Sequence, residues 1–162
     1  MSTGLRIRLL VFDIDGVLTD GRVYLDERGG ETKSLYYRDL DAMGEARRHG
    51  LQLALLTGER GPMAELLASK MPITEIVAGQ KDKLTGITDL AARLGVPLAE
   101  TAYVGDAVRD LPALQAVGLG LCPADAHSRL IAAGIRALPR NGGSGVAEEA
   151  VELILKEYQA NA

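Results

Sequence analysis

The chain has 162 residues, of which 47% are hydrophobic and 25% charged, with a formal net charge of -4 and a single cysteine. That length and apolar content build one sizeable core, which excludes a disordered chain and predicts a single domain over residues 1–162. Lys and Arg are scattered through the chain instead of forming a stripe, so nucleic acid is not expected as a partner.

Two local features are explained by packing and location. Cys122 has no partner for an internal disulfide and no His in a nucleophile context beside it, so it reads as a small core residue. Arg6 and Arg8 interrupt the first apolar run, and no segment reaches the ~20 apolar residues that span a bilayer. A cytoplasmic protein without a membrane partner is expected.

In chain order, short β-rich runs alternate with helical spacing, the pattern of a doubly wound parallel α/β sheet. Strands are predicted at "LRIRLLVF", "LQLALL", "ITEIVA", "TAYVG", "GLGLC" and "IRAL". Helical spacing runs over Asp39–His49, Gly61–Lys70, Asp82–Leu94, Val108–Ala116 and Val146–Gln159. "GRVYLDERGGETKSLYY" departs from this rhythm, because two extended arms joined around "DERGG" predict a projecting β-hairpin.

The first strand runs directly into "DIDG". Were the strand to persist through Asp15, its two-residue period would send Asp13 and Asp15 to one side, at the strand end where doubly wound folds bind ligands. Two carboxylates in one small site repel unless a cation or proton intervenes. An EF-hand would need a bidentate Glu where Tyr24 stands, which weakens that reading. A structural reading makes Asp15 a turn residue and Asp13 a cap. The third reading pairs an Asp nucleophile with an Asp acid on a magnesium site.

Three further strand ends bear on the choice. "LLTGER" presents Thr57 and Gly58 before a helix, where a hydroxyl and N–H groups can face an anion, although a strand followed by Thr-Gly is often only a turn. "GQKDKL" puts Lys81 and Lys83 at a helix start, against the helix dipole; solvated lysines or a bound phosphate would each account for them. "AYVGDAVRD" carries Asp106 at a strand end and Asp110 one helical turn on, with a helix cap as the plain alternative for Asp106.

Taken in order, D-x-D-G, T-G, K and G-D-x-x-x-D resemble the four motifs of the haloacid dehalogenase superfamily over nearly the whole chain. The resemblance implies Asp13 as nucleophile and Asp15 as general acid/base. It implies Gly16, Thr57, Gly58 and Lys83 around the phosphate. It further implies Mg²⁺ held by Asp13, the Asp15 carbonyl and Asp106, with Asp110 in support. The interval from Asp20 to Thr57 holds only the hairpin, one helix and one strand, so no cap domain is expected.

"FDIDGVLTDG", "YYRD", "TGE", "DKL", "AYVGD", "VGLGLCPADAH" and "GGSG" are similar to the capless 3-deoxy-D-manno-octulosonate 8-phosphate phosphatase family. That resemblance implies a phosphorylated sugar-acid substrate, a lipopolysaccharide-type pathway, and a homotetramer whose hairpins and glycine tract help close each site. Arg38 in the "RD" pair is then a candidate substrate contact. The chain departs from the family at Glu59, Ala107, Ser144 and Ala147, where it lacks an Arg, an Asp and two basic residues. "TGE" with Lys70 is instead similar to 2-keto-3-deoxynononate 9-phosphate phosphatases, in which such a Glu and Lys pair; an Arg expected near Leu67 is missing even there, and Glu59 is equally explained as a favoured acid in a helix first turn. His127 sits near a predicted helix start and reads as structural.

Two other classes compete: a catalytically weak oligomerisation relative, and a phosphorylated signalling receiver. The intact acids oppose the first. A receiver carries its phosphorylated Asp on a middle strand, which opposes the second.

Overall fold

The computed structural model describes residues 4–73 and 75–159. Strand β1 is Leu9–Phe12, β4 is Gln52–Leu56, β5 is Glu75–Val77, β6 is Thr101–Val104, β7 is Leu119–Cys122 and β8 is Arg136–Ala137. They form one parallel sheet in the order β5-β4-β1-β6-β7-β8. Every residue of β1 is buried, as a central parallel strand covered on both faces requires. Leu10 and Phe12 join one core with Met43, Ala46, Val151 and Ile154, whereas Leu9 and Val11 join the other with Ile87, Leu90, Tyr103 and Leu114.

Helix α1 (Tyr37–Arg48) packs against α6 (Val146–Glu157) over the first core, and α2 (Pro62–Ser69) covers the same side. Helices α3 (Lys83–Leu94), α4 (Leu111–Ala116) and α5 (Ser128–Ala132) cover the other. The predicted helix over Val108–Ala116 divides into a 3₁₀ turn at Val108–Asp110 and α4, with Pro112 in the first turn of α4. The short α5 begins at Ser128, where the sequence predicts a helix start near His127 but no helical range. His127 caps it, its Nδ1 accepting from the Arg129 N–H at 3.2 Å.

The sheet strands are shorter than the predicted runs, and Thr74 of "ITEIVA" lies outside the described residues. The hairpin forms from β2 (Tyr24–Leu25) and β3 (Glu31–Thr32), paired antiparallel. Its turn is held by the Asp26 carboxylate, which accepts from Arg28 N and Gly30 N, each at 2.8 Å. Val23, Tyr24 and Leu25 are exposed, as is Tyr37 beside them. Cys122 is buried, and desolvation pushes its thiol up to about 11, which suits an inert core residue.

The sheet reverses direction of winding at β1, since β4 and β5 lie to one side and β6 to β8 to the other. The carboxyl ends of β1, β4 and β6 therefore converge at a topological switch point.

Candidate active site

Strand β1 ends at Phe12, so Asp13 and Asp15 are not placed by strand alternation as expected. Asp13 still takes one ladder bond, its N–H donating to Val104 O at 3.0 Å. Beyond it the chain coils tightly, with Val17, Leu18 and Thr19 N–H groups all donating to Ile14 O. Buried Ile14, Val17 and Leu18 anchor this turn in the core and leave its polar residues facing the strand ends. Gly16 adopts φ +82°, and a Cβ there would overlap the Asp106 carboxylate, so only glycine fits. Gly16 thus adjoins Asp106 and is not among the residues lining the pocket.

A pocket of about 200 Å³ opens at this point, lined by Asp13, Asp15, Thr57, Gly58, Glu59 and Lys83, and also by Gly21, Asp106, Ala107 and Arg109. Lys83 is 2% exposed, which removes the solvated-lysine explanation, whereas Lys81 remains in solvent. The Lys83 ammonium lies 3.1 Å from Asp13 Oδ1 and 3.5 Å from Asp110 Oδ1, and it donates to Leu56 O at 2.9 Å. Two carboxylates therefore offset the unfavourable helix dipole at the start of α3. Asp13 Oδ1 also accepts from Ile14 N at 2.8 Å, while no hydrogen bond engages its Oδ2 among the described residues.

Asp110 is fully buried and its acceptors are committed. Oδ1 accepts from the Tyr103 hydroxyl at 2.7 Å; Oδ2 accepts from the Asp106 and Ala107 N–H groups at 3.1 and 3.0 Å. It fixes the loop that carries Asp106. One oxygen from each of Asp13, Asp106 and Asp110 lies within 4.8 Å of the others. Burial, then the neighbouring carboxylates, push Asp106 up to about 7; burial likewise raises Asp13 to about 6 despite Lys83. Clustered, desolvated carboxylates of this kind fit a hard divalent cation with oxygen ligands. With Asp110 engaged, Asp13 and Asp106 are the side chains free to hold it.

Thr57 is 1% exposed, and its Oγ1 accepts from Glu59 N at 3.1 Å, fixing the turn that presents Gly58 to the pocket. Asp15 faces the same pocket and is gripped by Lys33, whose Nζ lies 2.7 Å from Asp15 Oδ1. Lys33, Tyr103 and Arg109 were not singled out from the sequence. A tyrosine inside a strand needs a partner for its hydroxyl, which could have indicated Tyr103. Arg109 falls one 3₁₀ turn after Asp106. Nothing local marks Lys33, because its role depends on where the hairpin arm returns.

Arg38 and Lys70 are not brought to this pocket. Arg38 pairs with Glu148 at 2.8 Å on the α1–α6 surface. Lys70 lines a separate groove with Tyr37, Met63 and Leu66, and no ion pair joins it to Glu59, which faces the pocket. Asp39 does not cap its own helix. Its Oδ1 accepts from Glu148 N at 2.9 Å and so caps α6, whose own N-cap Gly145 has no side chain to offer.

Together the fold and site define a hydrolase on a doubly wound sheet, with an acidic cation site beside a buried lysine. A family model for haloacid dehalogenase-like hydrolases matches residues 59–149. The 3-deoxy-D-manno-octulosonate 8-phosphate phosphatase of Escherichia coli is 35% identical over 155 residues, covering 96% of this chain and 82% of the relative. The Moraxella catarrhalis enzyme of that name, solved with magnesium ion, phosphate ion and a KDO molecule, superposes with a TM-score of 0.88 at 34% identity, covering 93% of this chain and 87% of that one. A cobalt-bound Haemophilus influenzae counterpart gives 0.88 at 33% identity, covering 94% and 90%. The chain belongs to the 3-deoxy-D-manno-octulosonate 8-phosphate phosphatase family of haloacid dehalogenase-like hydrolases.

Proposed function

We propose that this protein is a Mg²⁺-dependent phosphatase hydrolysing 3-deoxy-D-manno-octulosonate 8-phosphate. The observation that carries the chemistry is Asp13: Oδ1 is held by Lys83 and the Ile14 N–H, no hydrogen bond engages Oδ2 among the described residues, and one oxygen of the carboxylate lies within 4.8 Å of one of Asp106. Asp13 and Asp106 side chains and the Asp15 carbonyl would hold Mg²⁺, which lowers the repulsion between carboxylate and phosphate.

Asp13 Oδ2 attacks phosphorus and the ester P–O bond breaks, while Asp15 delivers a proton to the departing sugar oxygen. Water then attacks the phosphorus of the aspartyl-phosphate, giving its proton to Asp15 and releasing inorganic phosphate with the Asp13 carboxylate restored. Thr57, Gly58 and Lys83 bind the phosphoryl oxygens. No pairing of Glu59 with Lys70 supports the nononate alternative, and the complete acidic site opposes the oligomerisation module.

The deciding experiment measures phosphate release from octulosonate, nononate and hexose phosphates, with and without EDTA. Selective, chelator-sensitive hydrolysis of the octulosonate ester is expected; metal-independent release, or preference for another ester, overturns the assignment.

The same reading extends to assembly and location. The exposed hairpin residues Val23, Tyr24 and Leu25, together with Tyr37 and Leu66 around the nearby groove, support a homotetramer. No helix among the described residues is long and apolar enough to cross a membrane, and a cytoplasmic enzyme is the location we assign.

A further inference from the structure

The pocket carries one positive group that the chemistry above leaves unused. Asp13, Asp15, Glu59 and Asp106 line it with negative charge, and Lys83 is already committed to Asp13, Asp110 and Leu56 O. Lys33 is likewise engaged by Asp15. Arg109 alone among the cations lining this pocket has no hydrogen bond or ion pair within the described residues. The adjacent Ala107 supplies no carboxylate to neutralise it.

Its position is defined from two sides. Asp110, the next residue, is fully buried and fixed by Tyr103 and two backbone N–H groups, so the turn carrying Arg109 has a rigid base. At the other end the guanidinium reaches across to the Thr57–Gly58 turn, with Nη1 3.7 Å from where a Gly58 Cβ would stand. That separation is ordinary van der Waals distance, so the guanidinium and the turn lie side by side at the pocket wall. A free, planar guanidinium beside a turn presenting the Thr57 hydroxyl and the Gly58 N–H suits the bidentate recognition of a phosphoryl group.

We propose that Arg109 is a substrate-contacting residue that clamps the phosphoryl oxygens from the Gly58 side, opposite Asp13. Arg109 thereby adds positive charge at the phosphoryl group to that of Lys83, which also holds the nucleophile. The inference rests on the phosphatase reading, and it is stated for the phosphate common to all such esters, not for the sugar carboxylate.

Three variants test it in the Mg²⁺-loaded full-length chain: Arg109→Met, Arg109→Lys, and Lys81→Met as a control for loss of a nearby exposed charge. Three quantities are read: calorimetric binding of inorganic phosphate, kcat/KM for p-nitrophenyl phosphate, which has no carboxylate, and kcat/KM for the sugar-acid ester. Arg109→Met is expected to weaken phosphate binding and lower kcat/KM by about tenfold or more, as loss of a charge-assisted contact does. Arg109→Lys should recover part of both, and Lys81→Met should change neither.

Unchanged phosphate binding in Arg109→Met overturns the proposal, as does an equal loss in Lys81→Met. A defect confined to the sugar-acid ester also overturns it, by assigning Arg109 to the carboxylate. Arg109-dependent phosphate binding by a wild-type chain that hydrolyses no ester would uphold the clamp and remove the phosphatase reading instead.

Discussion

Lys83 is a lysine taken almost wholly out of water, and two carboxylates, a carbonyl and a tyrosine hydroxyl surround it. Burial of a charge is tolerated only where partners replace its hydration. The same network aligns the nucleophile candidate and fixes the Asp106 loop. Asp13→Asn should therefore fold but lose turnover, checked by circular dichroism beside a phosphate-release assay; wild-type rates would remove Asp13 from the chemistry. Tyr103→Phe deletes the neutral donor to Asp110 and should cost about 1–3 kcal/mol in urea unfolding. Gly16→Ala combines a positive φ with overlap onto Asp106, so its activity should fall by an order of magnitude or more, with a weaker Mg²⁺ requirement curve as the accompanying readout.

Elements are joined by contacts between distant parts of the chain. The α6 amino terminus follows a glycine tract and receives its cap from Asp39 on α1, so two helices packed side by side share one carboxylate. Asp39→Ala should lower stability by about 1 kcal/mol while leaving the pocket intact, measured by chemical denaturation with kinetics as the control. The hairpin presents apolar residues to solvent on a two-stranded ribbon, which is marginal alone. For the proposed homotetramer, Leu25→Asp should shift light scattering toward smaller species than the wild-type chain; an unchanged mass would exclude this face from the proposed assembly.

At the scale of the molecule, proton and metal binding are linked. Asp13 and Asp106, raised to about 6 and about 7 from 3.8, bind more protons folded than unfolded in the metal-free chain. Their contribution to stability therefore falls as pH rises from about 4 to about 7 and is flat above. A divalent ion displaces those protons, so the Mg²⁺-induced rise in Tm should be larger near about pH 8 than near about pH 5. Equal shifts at both values would place the ion elsewhere.

The four motifs were legible in the sequence because each is local. A buried run must end at the sheet edge, and the residues that follow it in a tight turn are presented there whatever lies further along the chain. Short, nearly continuous apolar β-rich runs likewise identified β1, β4 and β6, and the "DERGG" turn identified the hairpin. Strand pairing decided the rest. Setting β1 between β4 and β6 brings Asp13, Thr57 and Asp106 into one pocket, and the helix after β5 returns Lys83 beneath them. The same packing gives Asp15 to Lys33, Asp110 to Tyr103, and Arg38 to Glu148 instead of the pocket. Sequence by itself determined which chemical groups stand at the strand ends, because backbone geometry acts over a few residues. Tertiary structure alone decided which of those groups meet, because partners far apart in the chain are selected by how helices and sheet bury their apolar faces together.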